Sequence, residues 1–350
     1  MFLKNAWYVA AWSDEVTATL QQVILLNERI CMFRTASGEV TALEDACPHR
    51  KLPLSKGRLK GETVECGYHG LTFGLNGQCV RAPGQGGIPS NARVRAYPVH
   101  ERYGLVWIWM GNPALADAED IVDIPELDDP AWGMNKGAAL SVDCNYLYVT
   151  DNLLDPTHVA WVHQSSFGQA ATEDTPLRIT RKDDGVTVWR WMMDVEPAPF
   201  YKKVVEFAGN CDRLQHYEVR YPCHAIIRAV FTPAGTGGED GPLHEQTFVM
   251  NSYNFMTPET ADRTRYYWFQ TRNIRPDDQA LSEMMSADVK HAFEEDREVL
   301  NEVQKGMAHK TTPHIDLAID GGQLRFRRQL EVMIEQERIA DTALAGDSAR

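Results

Sequence analysis

Short runs of apolar and β-branched residues, separated by turn formers, fill the first third of the chain. Residues 30–34 and 105–110 are examples, and Gly, Pro, Asn and Asp interrupt such runs at short intervals. Asn76-Gly77, a strong hairpin signal, lies between two of them. The pattern predicts an all-β module of roughly 115 residues. Its strands are predicted at residues 23–27, 30–34, 40–43, 71–75, 78–81, 94–99 and 105–110.

An acidic, proline-containing stretch at residues 117–130 is typical of a linker, and we place a domain boundary at about residue 130. Beyond it, helices are predicted at residues 146–161, 281–303 and 324–339, between further strand-like runs. The apolar positions of the second helix recur at helical spacing: Met284, Met285, Val289, Phe293, Val299 and Val303. The chain is therefore predicted to be α+β, with an all-β domain at residues 1–130 and an antiparallel sheet with packed helices at residues 131–350.

Composition and charge narrow the class of protein. Of the 350 residues, 43% are hydrophobic and 24% are charged, which is ordinary for a globular protein. The net charge of −14 argues against a nucleic-acid partner and suits a basic protein partner. We find neither a run of ~20 apolar residues that would span a membrane nor a signal peptide, so we expect a cytoplasmic protein. The seven cysteines are then expected to be thiols or metal ligands.

Two short loops each combine a cysteine with a histidine. Cys47-Pro48-His49 is followed, after 16 intervening residues, by Cys66-Gly67-Tyr68-His69. Two thiolates on one iron and two imidazoles on the other hold a [2Fe–2S] cluster of raised potential. Structural zinc also binds two Cys and two His, but zinc fingers usually keep the cysteines together and the histidines together. The mixed loops favour the cluster, with zinc as the alternative.

A second candidate site lies further along the chain. His158 and His163 are five residues apart, and two histidines with one carboxylate form a common ligand set for O2-activating Fe(II). Five residues rotate an ideal helix by about 140° net, so both rings can face one ion only if the helix ends or distorts between them. Asp155 shares a helix face with His158. The third ligand has to be a distant carboxylate, and the run Glu294-Glu295-Asp296 offers three.

Together these motifs resemble those of the Rieske non-haem iron oxygenases. CPHR and CGYHGLTF are similar to Rieske cluster loops, NAWYVAAW to the start of the oxygenase subunits, and N-x2-D-x2-H-x4-H to their iron motif. Within the family, the chain resembles vanillate O-demethylase, dicamba monooxygenase and toluenesulfonate methyl-monooxygenase oxygenase components. The resemblance implies an N-terminal all-β Rieske domain followed by a helix-grip (START-like) catalytic domain.

The resemblance also implies a role for each motif residue. The [2Fe–2S] ligands would be Cys47, His49, Cys66 and His69, and the ligands of the mononuclear Fe(II) would be His158, His163 and Asp296. Asn152 and Asp155 would complete the catalytic motif, with Asp155 linking a cluster histidine to an iron-bound histidine. A carboxylate that accepts hydrogen bonds from two imidazoles fixes both tautomers and offers a short electron path.

A family member of this kind is the terminal oxygenase component of a multicomponent system. It would use O2 and two electrons per turnover from an NAD(P)H-dependent flavin or ferredoxin-type reductase, since the chain contains no G-x-G-x-x-G fingerprint of its own. The family forms head-to-tail rings, so we expect a homotrimer or a multiple of it. In such a ring the neighbour's cluster would dock against Asp155.

The expected substrate is an aromatic acid, and the leading prediction is O-demethylation of a vanillate-like methoxybenzoate with release of formaldehyde. Arg228 could pair with the acid group, and Ile227 beside it is a further candidate pocket residue. Asn254 and Ala287 stand where a relative has a substrate-binding His and a pocket Trp, which puts the same substrate in doubt.

Other reactions and other classes of protein stay open at this point. Within the family, the alternatives are methyl hydroxylation of an aryl sulfonate and ring hydroxylation or cis-dihydroxylation of an aromatic carboxylate. Outside it, they are an electron carrier fused to a ligand-binding domain without catalytic iron, and a zinc-stabilised binding protein.

Overall fold

The computed structural model of the chain describes residues 1–168, 171–239, 242–309 and 312–348. The chain divides into two compact units: unit 1 is Met1–Val122, Thr257–Ala261 and Glu337–Arg350, and unit 2 is Asp123–Met256 and Asp262–Gln336. The strands are β1 Trp7–Trp12, β2 Gln21–Leu25, β3 Glu28–Arg34, β4 Val40–Glu44, β5 Arg58–Lys60, β6 Thr63–Glu65, β7 Thr72–Gly74, β8 Cys79–Arg81, β9 Ala96–Tyr97, β10 Val99–Arg102, β11 Leu105–Trp109, β12 Gly133–Lys136, β13 Leu140–Val142, β14 Arg178–Arg181, β15 Gly185–Val195, β16 Cys211–Arg220, β17 His224–Pro233, β18 Phe248–Thr260 and β19 Arg263–Arg272. The α-helices are α1 Tyr146–Leu153, α2 Val159–Val162, α3 Ala171–Asp174, α4 Pro199–Lys202, α5 Gln279–Ala308 and α6 Gly321–Ser348.

Small antiparallel sheets make up the N-terminal part of the described chain. Their strand orders are β1-β11-β10, β2-β3-β4-β9 and β5-β6-β7-β8. The hairpin predicted at Asn76-Gly77 joins β7 to β8. Gly77 has a φ of +77°, and a Cβ there would lie 2.1 Å from the carbonyl oxygen of Val94, so glycine is required at this turn. The all-β character predicted for this part is confirmed.

Strand β1 was not predicted from the sequence. All six of its residues are buried, and it pairs antiparallel with β11, whose five residues are buried too. Because both faces of these strands are covered, neither has the alternation of polar and apolar residues that marks a half-exposed strand. Two alanines also lower the β-propensity of β1.

Unit 2 is built on a sheet with the strand order β12-β19-β18-β17-β16-β15-β14, and β13 pairs with the edge of β19. Strands β15 to β18 are long, at 10 to 13 residues, and pair antiparallel with their sequence neighbours. Helix α1 packs against β16 and β17, and α5 packs against β12, β13 and α1. The α+β prediction is therefore confirmed.

Helix α5 buries one stripe of side chains. Met285 and Val289 lie in it as predicted, whereas Val299 and Val303 are 42% and 39% exposed. The stripe recurs every three or four positions, as one face of a helix requires: Leu281, Met285, Val289, Ala292, Asp296 and Leu300. Asp296 is the charged member of this stripe, and a buried carboxylate is costly unless it has partners.

The helix predicted at residues 146–161 is interrupted. Helix α1 begins at Tyr146 and is capped by Asn145, whose side chain accepts a hydrogen bond from the N–H of Leu147 at 2.9 Å. It ends at Leu153, and the turn that follows contains Pro156. The four-residue α2 then has His158 before its first residue and His163 after its last. The end of α2 at Val162, between the two histidines, is therefore the break that the two-histidine motif requires.

Two global features complete the fold. No helix within the described ranges combines the length and the apolar character needed to cross a membrane. All seven cysteines are buried free thiols.

Candidate metal centres

The two Cys-His loops of unit 1 share one backbone arrangement. In each, the cysteine N–H donates to the carbonyl five residues further on, at 2.9 Å for Cys47 and 2.8 Å for Cys66. In each, the cysteine carbonyl also accepts a hydrogen bond from the N–H four residues further on. The donor is Lys51 in the first loop, at 2.8 Å, and Gly70 in the second, at 3.1 Å. Both of these residues have a left-handed backbone, with φ of +59° and +71°. The two loops are local copies that present equivalent ligands.

The candidate sulfur and nitrogen ligands of these loops differ in exposure. Cys47 and Cys66 are each 2% exposed and belong to an apolar core, whereas His49 and His69 are exposed. The two imidazole rings have their centres 4.5 Å apart. Burial is the largest cause that raises the pKa of the Cys47 thiol. Two buried thiols beside two exposed imidazoles fit a [2Fe–2S] group ligated by sulfur on one iron and by nitrogen on the other.

Polar side chains hold the first loop in place. Asp45 is 2% exposed, and its carboxylate accepts from the N–H and the hydroxyl of Ser55, both at 2.7 Å. The amide of Gln22 donates to the same carboxylate at 2.5 Å. This network fixes both ends of the segment that carries Cys47 and His49.

In unit 2, α2 and α5 bring the second ligand set together. The ligand atoms of His158, His163 and Asp296 lie within 4.8 Å of one another. Oδ1 of Asp296 is 3.2 Å from Nε2 of His163 and 3.5 Å from Nε2 of His158. All three side chains are largely shielded from solvent: Asp296 is 9% exposed, His163 5% and His158 14%. This set can bind a mononuclear iron, and of the acidic run it selects Asp296.

The electrostatics favour the metal-binding form of Asp296. Burial alone would favour the neutral acid, but hydrogen bonds from His163 and Asn152 and the nearby charge of His158 outweigh it and lower the pKa of Asp296. Burial likewise disfavours charge on His163, yet the carboxylates of Asp296 and Glu295 outweigh it and raise its pKa. The pocket is thus arranged around an ionised carboxylate, the form that ligates a cation.

Glu295 has a role that sequence reasoning did not assign. Its Oε2 accepts a hydrogen bond from Nδ1 of His163 at 2.7 Å. With the proton on Nδ1, the lone pair of Nε2 is available to a metal. The only sequence signal for this role was membership of the acidic run next to Asp296.

The other two motif residues lie beside the ligands. Nδ2 of Asn152 donates to Oδ1 of Asp296 at 3.1 Å. Nδ1 of His158 bonds the main-chain carbonyl of Asp155, whereas the expected partner was the carboxylate. That carboxylate accepts from the N–H of Thr157 at 2.8 Å and lines a depression that also reaches His158. The turn at residues 156–158 brings the Asp155 carbonyl, and not its carboxylate, to the His158 ring.

His158, His163 and Asp296 form part of the wall of a cavity with about 580 Å³ of empty space, partly open to solvent. Most of its other walls are apolar or aromatic. Among its lining residues are Phe167, Tyr201, Arg213, Tyr217, Ile227 and Asn254.

The structure divides the four substrate-pocket candidates into two pairs. Ile227 and Asn254 line the cavity. Arg228 and Ala287 are exposed and are not among its lining residues, so for these two the expected position was wrong. Arg228 follows Ile227 on β17, and successive strand residues point to opposite faces. Ala287 lies between Met285 and Val289 of the buried stripe, on the far side of α5.

One positively charged residue of the cavity wall was not predicted from the sequence. Arg213 is 1% exposed and lines the cavity from β16. Nothing in the sequence around it distinguishes it from the other arginines. Only the register of β16 in the sheet reveals the face on which it lies.

Both parts of the chain match known protein families. Residues 6–98 match the Rieske [2Fe-2S] domain, and residues 142–336 match the vanillate O-demethylase oxygenase C-terminal domain. These ranges contain the Cys-His loops and the two-histidine, one-carboxylate set respectively.

Individual relatives are similar over almost their whole length. The iron-sulfur subunit of a toluene-4-sulfonate monooxygenase system from Comamonas testosteroni is 39% identical, over 96% of this chain and 98% of its own. The vanillate O-demethylase oxygenase subunit of a Pseudomonas strain (HR199) is 34% identical, over 100% of both chains. A crystal structure of dicamba monooxygenase bound to 3,6-dichlorosalicylic acid superimposes with a TM-score of 0.88 at 30% identity, over 96% of this chain and 99% of that one.

Proposed function

The chain belongs to the Rieske non-haem iron oxygenases of the vanillate O-demethylase type, and on this premise we propose that it demethylates a methoxybenzoate and releases formaldehyde. Family membership makes the chain an oxidoreductase, the monooxygenase component of a multicomponent system. It also removes the two readings outside the family, the electron carrier without catalytic iron and the zinc-stabilised binding protein.

One observation supports the proposed reaction most directly. The ligand set of His158, His163 and Asp296 opens on a cavity whose other walls are mainly aromatic and aliphatic. Apolar walls of this kind accept an aromatic ring and exclude water from its surroundings. A methyl or methoxy group on such a ring can therefore be held beside the metal ligands.

In this reaction the residues of the chain would hold and orient the metal ligands. When bound, the ferrous ion supplies O2 activation and the cluster supplies electrons singly. Glu295 holds His163 in the tautomer that ligates, and Asn152 holds Asp296 in place. The overall change is methoxyarene, O2, two electrons and two protons to phenol, formaldehyde and water, because the hydroxylated methyl group leaves as the aldehyde.

Electrons would come from a separate protein. Relatives are named as components of systems, which implies a reductase. We propose an NAD(P)H-dependent flavin or ferredoxin-type reductase, for which the acidic chain, with a net charge of −14, suits a basic docking face. A cytoplasmic location belongs to the same proposal, since NAD(P)H and the five free thiols outside the cluster loops are typical of a reducing compartment.

We also propose a homotrimeric ring, or a multiple of it. Asp155 lines a surface depression of unit 2 together with Asn152 and His158, next to the iron ligands. The exposed histidines His49 and His69 of another copy are the complementary groups. Such a contact joins two different surfaces, and a heterologous contact closes into a ring when its rotation brings the last copy back to the first.

Methyl hydroxylation of an aryl sulfonate is the second candidate. It is favoured by the 39% identity to the toluene-4-sulfonate monooxygenase subunit, which exceeds the 34% identity to the vanillate enzyme. The same ligand set and the same apolar walls serve both reactions. The group placed at the metal decides between them.

A single turnover tests the proposal. The anaerobic protein, with iron and cluster contents measured, is chemically reduced, mixed with vanillate and exposed to O2. We expect formaldehyde and the phenol in amounts stoichiometric with the sites. No formaldehyde from fully loaded protein would contradict O-demethylation of vanillate, and hydroxymethyl product from toluene-4-sulfonate would establish the second candidate.

A further inference from the structure

The cavity beside the metal ligands has two polar regions of different chemistry. The first surrounds Asn254, which is fully buried. Its Nδ2 donates to the carbonyls of Ser252, at 2.9 Å, and Ala225, at 3.4 Å. Its Oδ1 accepts from the hydroxyls of Tyr266, at 2.9 Å, and Ser252, at 3.2 Å. Both amide hydrogens and the amide oxygen are therefore engaged within the protein, and Asn254 has little left to offer a ligand.

The second polar region is built around Arg213. Its guanidinium carbon lies 5.2 Å from the ring centres of both Tyr201 and Phe231. Its terminal nitrogens lie 3.5 Å from the carbonyl oxygen of Phe167. Arg213 also forms a side-chain hydrogen bond with Tyr201. These contacts hold the guanidinium in position at the cavity wall.

Arg190 adds a second positive charge to this region. It is 2% exposed, and its guanidinium donates to Oε1 of Gln215 at 2.8 Å and to the carbonyls of Thr172 and Pro156 at 2.5 and 3.2 Å. Gln215 is two residues from Arg213 on β16 and is the register partner of Arg190, so all three lie on one face of the sheet. Two guanidinium groups therefore lie on this face of the sheet.

The metal end of the cavity has a different chemistry. Asp296 lies among the lining residues there, and Glu295 is bonded to His163 beside it. A bound ferrous ion would offset the charge of these two carboxylates and take up the ligand atoms at that end. Arg213 is the one arginine or lysine among the described lining residues, so it is the group there that can hold an anion by charge-assisted hydrogen bonds.

We propose that Arg213 binds the oxyanion of an aryl carboxylate or aryl sulfonate and so directs the opposite, uncharged end of the ring toward His158, His163 and Asp296. This assignment rests on the proposed function, because it takes the substrate to be an aromatic anion in this cavity. The planar guanidinium fork suits either anion, and a lysine ammonium would not reproduce it.

The experiment measures binding without turnover. Isothermal titration calorimetry on the oxidised holoenzyme compares vanillate with its neutral amide, vanillamide, and toluene-4-sulfonate with toluene-4-sulfonamide. The variants are R213M, which removes the charge, R213K, which keeps the charge but loses the fork, and R228Q as the matched control at an exposed arginine outside the cavity. Affinity for the amides and the absorbance of the cluster report whether each variant is folded.

We expect the wild type to bind at least one anion about 10–100-fold more tightly than its amide, the strength of a charge-assisted hydrogen bond. R213M should bring that ratio close to one, R213K should reduce it severalfold, and R228Q should leave it unchanged. The anion with the larger ratio identifies the preferred oxyanion. If R213M does not fold, the ratio of anion to amide affinity in R213K tests the assignment in its place.

Two results would overturn the assignment: a wild-type ratio near one for both pairs, or a ratio that R213M, or R213K in its place, leaves at the wild-type value. Failure of the proposed function is seen separately. An anion preference that depends on Arg213, without formaldehyde from vanillate, contradicts only the demethylation. Formaldehyde release with no dependence on Arg213 contradicts only the present assignment.

Discussion

Nδ1 of His163 donates to Oε2 of Glu295 at 2.7 Å, while Nε2 of the same ring faces Oδ1 of Asp296 at 3.2 Å. Two adjacent residues of α5 thus contact the two nitrogens of one imidazole. Neighbouring helix residues point about 100° apart, so the ring fits between their side chains. Helix α5 consequently provides a ligand and also sets the orientation and tautomer of another.

Replacing Glu295 by Gln should loosen the iron without removing any ligand. The amide keeps the size of the side chain but loses the charge that makes the His163 bond strong, and changes of this kind weaken metal affinity by ~10–100-fold. The measurement is the rate of iron loss to a chelator, followed beside the cluster absorbance. E294Q is the matched control, since Glu294 pairs with Arg297 instead. Equal iron retention in E295Q and the wild type would contradict the positioning role.

Replacing Asp296 by Ala should abolish mononuclear iron binding and leave the cluster intact. Asp296 is the sole carboxylate in the ligand set found among the described residues, and its removal leaves two imidazoles. Iron analysis should fall from three to two irons per chain, with unchanged visible absorbance from the [2Fe–2S] centre. Three irons per D296A chain would show that another acid is the ligand.

Replacing Asp155 by Asn should slow electron transfer with both metal centres fully loaded. Asp155 lines the depression next to His158, and the amide cannot accept from imidazoles as a carboxylate does. Stopped-flow absorbance of the pre-reduced protein with substrate and O2 should show cluster reoxidation slowed by at least ~10-fold. D316N, which alters another acid of the same depression, should reoxidise at the wild-type rate. A normal rate in D155N would remove Asp155 from the electron path.

The two cluster loops make a matched pair for a stability test. Lys51 and Gly70 occupy equivalent left-handed positions, where a side chain costs ~1–2 kcal/mol. G70A adds that strain and places a Cβ 3.2 Å from Pro83, so its melting temperature should fall. K51G removes the strain from the folded loop, but glycine also raises the conformational entropy of the unfolded chain. The two effects oppose each other, so the melting temperature of K51G should stay close to that of the wild type. A K51G variant that melts as early as G70A would mean that the Lys51 side chain itself stabilises the loop.

Local motifs account for what could be inferred without a structure. The ligands in each Cys-His loop are at most three residues apart, so their spacing already implies one shared group. The five-residue separation of His158 and His163 likewise required a break in the helix, which is present at the start and end of α2. The α+β class followed from periodicity, since strand and helix repeats depend only on neighbouring residues.

Long-range packing decided everything that depends on which way a side chain faces. One position of strand register separates Ile227, in the cavity wall, from Arg228, outside it. Two positions of helix phase separate the buried Met285 from the exposed Ala287.

The sequence by itself therefore determined the fold class, the cluster loops and the two iron-binding histidines, because short spacing sets those. The acidic run alone left three candidate carboxylates, the family resemblance pointed to Asp296, and the structure brings that carboxylate to the two histidines. Only the tertiary structure gave Glu295 its partner and placed Arg213 at the cavity. Both depend on contacts between segments distant in the chain, and no local pattern encodes such contacts.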